Sequence, residues 1–182
     1  DPSNKKTSKK NGFATALAAH GVKPRAVADG LDARGLWLRN LPIGAAIGSW
    51  FFVHAGVAKP TSIAQLSSTI AHDVDAHGFA ALTSDDSVLE VRDWAKASSL
   101  PATLAALGAK HIVVGPDTSS IGPKGTIAMR GDGLLFRIDT GMSPDVAYSS
   151  GEILRVKTTA GHVVVDALDA AGNARTLWTG PE

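Results

Sequence analysis

The chain has 182 residues, 44% of them hydrophobic and 19% charged, with a net charge of +1 and no cysteine. A length of this order fits one domain whose core needs no covalent staple, and the missing thiols exclude a disulfide framework, a thiolate zinc site and a cysteine nucleophile. No uninterrupted apolar run approaches the roughly 20 residues of a membrane-spanning helix, so a membrane is not an expected partner.

Residues 1–12 read as a disordered polybasic tail and residues 13–182 as the folded domain. Four lysines (Lys5, Lys6, Lys9, Lys10) against Asp1 give the tail +3, which takes the remainder from +1 to −2. No basic stripe is left to follow a phosphate backbone, so nucleic acid is not an expected partner either. The chain opens on Asp rather than Met and shows no signal peptide, which reads as a processed or cut sequence and leaves cytoplasm and periplasm both open.

The alanine-rich stretch from Gly12 to His20 predicts a helix stopped by Gly21, and a second short helix follows over Pro24–Leu31. Ile43–Val57 is the most strand-like part of the chain. Gly48-Ser49 reads there as a turn between two short strands, and Trp50–Val53 as a buried apolar run. Ile63, Leu66 and Ile70 carry helical spacing, and Ser87–Lys96 and Pro101–Leu107 read as further short helices. From His111 onward short β segments alternate with turn signals such as Gly131-Asp132-Gly133 and Ala171-Gly172-Asn173. Helices first and a strand meander after them predict an α+β fold with a mostly antiparallel sheet.

His54 is the sharpest candidate for chemistry. It ends an apolar strand, is followed by Ala55 and Gly56, and as a neutral imidazole is a competent metal ligand. A hydrogen-bonded histidine of the core is the alternative reading. Asp139-Thr140-Gly141, after an apolar strand, has the form of the aspartic-protease triplet, which a homodimer would supply twice; Met142 follows where that family carries a smaller residue. Asp73–Gly78 mimics the start of a calcium loop but has Ser84 where the bidentate glutamate belongs. The tryptophans Trp37, Trp50, Trp94 and Trp178 read as core or interface.

The run RGLWLRNLPIGAAIGSWFFVHAGVAKP, together with the later strand–hairpin–strand ending in Ile138-Asp139-Thr140-Gly141-Met142-Ser143, resembles calcineurin-like metallophosphoesterases, and among them the bacterial phosphoprotein-phosphatase-like branch. The resemblance covers Arg34 to about Val156. It implies the C-terminal half of an αββα sandwich with two sheets face to face, and a metal-dependent phosphoester hydrolase acting on a phosphorylated substrate with two divalent ions such as Mn, Fe or Zn. His54 would hold one ion, and Arg92 would hold the substrate phosphate through its planar fork. The family's G-D-x-H-G, G-D-x-x-D-R-G and G-N-H-(E/D) motifs do not occur, Pro116 stands where a ligand histidine is expected, and Glu90 replaces a tryptophan beside Arg92. The resemblance therefore implies a polypeptide incomplete on its own, with a companion segment or self-association covering its sheet. A non-catalytic scaffold or binding remnant of that fold is the alternative.

Overall fold

The computed structural model describes residues 12, 15–92, 94–96, 98–118 and 120–182. The expectation for the tail, over residues 1–11, lies outside them. Residues 15–19 are helical, within the stretch predicted over Gly12–His20, and two short helices follow, α1 (Pro24–Ala28) and α2 (Ala33–Arg39). The predicted hairpin follows as β1 (Gly44–Ile47) and β2 (Trp50–Val53), antiparallel about Gly48-Ser49.

Helix α3 (Ile63–His77) starts where Ser62 and Gln65 cap each other: the Gln65 N–H donates to Ser62 Oγ at 3.2 Å and the Ser62 N–H to Gln65 Oε1 at 3.3 Å. It stops at Gly78, whose φ of 65° a residue with a side chain adopts only under strain. A 3-10 turn (Gly78–Thr83) leads on to α4 (Leu100–Leu107), β3 (His111–Val114), β4 (Ala128–Arg130) and β5 (Leu135–Arg137). Three longer strands close the chain: β6 (Glu152–Thr159), β7 (His162–Asp169) and β8 (Ala174–Pro181). No helix among the described residues is long and apolar enough to cross a membrane.

The strands form two sheets, a five-stranded one in the order β1-β2-β3-β5-β4 and a three-stranded antiparallel meander β6-β7-β8. The fold is α+β, as the order of elements predicts. The centre of the larger sheet is parallel, however, β2 beside β3 and β3 beside β5. The chain between β2 and β3 carries α3 and α4, and a crossover of that length returns the strand in the same direction.

Alternation along the strands sets the layers. Phe51, Val53, Ile112, Val114 and Leu135 face a helical layer, where Leu100, Leu104 and Leu107 of α4 are buried and Ile63, Leu66 and Ile70 of α3 pack from outside. Trp50, Val113 and Phe136 face the opposite way and meet Val163 and Val165 of β7, so the two sheets pack face to face. Three cross-strand partners lock the small sheet: Asp166 accepts from Arg155 Nη2 at 2.7 Å and from Thr176 Oγ1 at 2.9 Å. Both contacts hold its carboxyl below the usual range.

The segment predicted as a helix over Ser87–Lys96 is not one in its described part. Ser87 Oγ donates to the Leu82 carbonyl and accepts from the Leu89 and Glu90 N–H groups, which folds the chain into turns. Beyond them the Trp94 indole N–H donates to the Ala55 carbonyl at 3.0 Å and ties the segment to the end of β2.

Candidate functional site

Parallel pairing puts three strand ends side by side. Val53 of β2 is in register with Val114 of β3, and Val114 with Arg137 of β5. The next residues continue the ladder, since the Gly115 N–H donates to the His54 carbonyl at 2.7 Å and the Ile138 N–H to the Val114 carbonyl at 2.9 Å. His54, Gly115-Pro116 and Ile138-Asp139 therefore share one carboxyl edge. Parallel sheets collect ligands at such edges, because side chains and open backbone converge there.

The edge is divided between two cavities. His54 is exposed and lines one of about 740 Å³ together with Gly115 and Ile138. The rest of that wall is nearly all apolar, with Phe52, Phe79 and Leu82 prominent. A second cavity of about 210 Å³ opens where Pro116 and Asp117 turn away from the strand end, and Arg92, Lys96 and Arg130 line it. The two residues expected to work together, His54 and Arg92, thus line different cavities. Arg92 rests on Glu90 Oε2 and on the Val91 carbonyl, both at 3.4 Å, with about half its side chain exposed.

The space at Gly56 is filled. Gly56 sits at φ 148°, and a Cβ there would lie 1.9 Å from the Trp94 indole. The glycine admits a tryptophan rather than a ligand. Asp139 follows β5 in a turn in which its Oδ1 accepts from the Gly141 N–H at 2.9 Å. His72, which neighbours the calcium-like stretch, is exposed and leans on Asp73 at 3.4 Å.

The donor set does not fit a two-ion centre built from this chain alone. Among the described residues no three His, Cys, Asp or Glu side chains come together as a metal would require. Beside His54 the next strand end offers Gly115 and Pro116, and neither side chain has a donor atom.

Sequence reasoning missed the group that holds the smaller cavity open. Arg137, the last residue of β5, is fully buried and donates to the carbonyls of Asp117 (3.2 Å), Pro123 (2.9 Å) and Thr126 (2.8 Å). Burial works against its charge, and Asp139 and Asp117 support it. Asp117 itself sits at φ 69°, so the arginine holds a loop conformation that costs backbone strain. Arg130 is fixed as well, donating through Nη1 to the Ala95 carbonyl at 2.6 Å and through Nη2 to the Ser120 carbonyl at 3.2 Å. No motif marks Arg130, Arg137 or Lys96 in the sequence; a charge inside an apolar strand is the one visible signal, at Arg137.

No family model matches the chain, and no curated protein matches it. Two solved structures do. One is a cold-active protein tyrosine phosphatase, with a TM-score of 0.56 and 14% identity over 79% of this chain and 44% of that one. The other is a point mutant of a cold-active protein tyrosine phosphatase, with the same TM-score and identity and 45% of its length covered. The chain spans under half the length of the solved structures it matches. At this identity the likeness is one of fold alone.

Proposed function

We propose that this chain is part of a phosphoester hydrolase, in which His54 is one metal ligand and the remaining donors come from a companion segment. The observation that carries the reading is the parallel pairing of β2 with β3, which delivers His54 to the carboxyl edge of a sheet whose fold is shared with phosphatases. One further feature supports it. The cavity that His54 lines is nearly all apolar and bordered by exposed Leu38, Leu41 and Ile138. Exposed apolar surface of that kind is what a covering layer would bury. The divalent ion would be Mn, Fe or Zn, and the substrate a phosphate monoester.

Pro116 favours a second reading, a non-catalytic scaffold that keeps the fold and binds without turnover. Para-nitrophenyl phosphate hydrolysis with added Mn²⁺ separates the two. Under the hydrolase reading the 182-residue chain alone stays at background. The chain supplied with its companion segment, covalently or as a separate polypeptide, turns over and loses that activity in His54→Ala. Background rates in every case establish the scaffold, and turnover indifferent to His54→Ala overturns the assignment of that residue.

A further inference from the structure

We infer that the smaller cavity, bounded by Arg92, Lys96 and Arg130, is a binding site for a small dianion: inorganic phosphate or the phosphoryl group of a monoester. Only Arg92 is shared with the hydrolase reading; neither His54 nor a metal enters. Three cationic side chains and one carboxylate, Asp117, line a space of about 210 Å³. That is below the roughly 300–1,000 Å³ of pockets that enclose drug-sized ligands, so the occupant is small, and the excess of positive charge selects an anion.

The three cations are held in graded ways that suit capture. Arg130 is immobilised by its bonds to the Ala95 and Ser120 carbonyls, which span the two segments forming opposite walls. Those bonds use acceptors that carry no charge, so its full positive charge remains available to a ligand. Lys96 is exposed and makes no ion pair among the described residues. Among the described residues Arg92 has one ion-pair partner, Glu90 at 3.4 Å, besides the Val91 carbonyl, and a dianion in the cavity competes for its fork on better terms than a half-exposed carboxylate does. Arg137 fixes the third wall from behind by holding the carbonyls of Asp117 and Pro123. A fixed guanidinium, an exposed ammonium and a movable guanidinium around one small space can meet three oxygens of a phosphoryl group from different sides.

The test is titration of the full chain with inorganic phosphate in EDTA at low ionic strength, followed by calorimetry or by amide shifts. Wild type is expected to bind saturably. Lys96→Gln and Arg130→Gln each weaken binding about tenfold, the loss of one charge-assisted contact. Lys96 makes no ion pair among the described residues, so that variant reads the site even where Arg130→Gln unfolds. Glu90→Gln releases Arg92 and tightens binding about two- to fivefold. Arg25→Gln, on a remote surface helix, leaves binding unchanged and controls for net charge. A parallel titration with phenyl phosphate distinguishes the two sources: competition with phosphate makes the monoester a ligand, and its absence restricts the site to the free anion. Absence of saturable binding, or equal losses in Lys96→Gln and Arg25→Gln, overturns the assignment.

Discussion

A side chain at Gly56 would begin inside the indole of Trp94, 1.9 Å from its ring atoms. The indole N–H meanwhile donates to the Ala55 carbonyl at 3.0 Å. The strand-end sequence His54-Ala55-Gly56 is thereby welded to the segment that carries Arg92 and Lys96. This one contact places the two cavities on either side of the same edge, His54 facing one and the cationic group facing the other.

Gly56→Ala should accordingly be costly. The methyl both collides with a large ring and forces a φ of 148° on a residue with a side chain. Overpacking and backbone strain together predict a loss of about 2–4 kcal/mol. Denaturant midpoints check this. A change within 0.5 kcal/mol, about the scatter of surface substitutions, would show that Trp94 moves aside freely.

Arg137→Met keeps the bulk and apolar stem while removing three donated hydrogen bonds. The carbonyls of Asp117, Pro123 and Thr126 then lose their partner. The expected cost is about 3 kcal/mol, with faster amide exchange concentrated in residues 117–126. Faster exchange spread evenly over the five-stranded sheet instead would make Arg137 a general core residue rather than the anchor of that loop.

His111 supplies a pH dependence with a definite sign. Its ring stacks on Trp50 at 4.2 Å and meets Trp178 edge-on at 5.0 Å. Nδ1 lies 2.8 Å from the Gly133 carbonyl, and Nε2 is buried without a partner. Burial lowers its pKa, with Lys110 adding to the effect and the Gly133 carbonyl opposing it. The folded state therefore favours the neutral ring, whose proton sits on Nδ1. Stability from this group is fully present above the ordinary value of 6.5 and is lost as pH falls from there toward the lowered folded value. Unfolding free energies measured between pH 8 and pH 5 should fall in wild type and flatten in His111→Gln. An equal slope in both proteins would assign the dependence to another group.

Local order was readable where a local rule governs it. Gly48-Ser49 between two apolar runs gave the β1–β2 hairpin, the spacing of Ile63, Leu66 and Ile70 marked α3, and the glycine-bearing turns divided the last three strands. The parallel pairing of β2 with β3 was not readable, because their partnership is set by 57 intervening residues and the helices packed on them, not by either strand's own pattern. The loss of the expected helix over Ser87–Lys96 has the same origin: Trp94 and Ser87 make bonds to distant or backbone partners that outweigh weak helical propensity. His54 was legible as a strand-end imidazole. That Arg92 would line another cavity, beside Lys96 and Arg130 from elements 34 residues apart in sequence, depends on how the turns close and has no signature in spacing.

The phosphatase reading rests on His54 as a lone ligand awaiting donors from another segment. The most direct test is Mn²⁺-dependent hydrolysis of para-nitrophenyl phosphate by the chain together with any flanking segment its reading frame encodes, with and without His54→Ala. The account predicts turnover that falls about a hundredfold or more in the variant, the loss expected when a ligand of a catalytic metal is removed. Turnover retained by His54→Ala would contradict it.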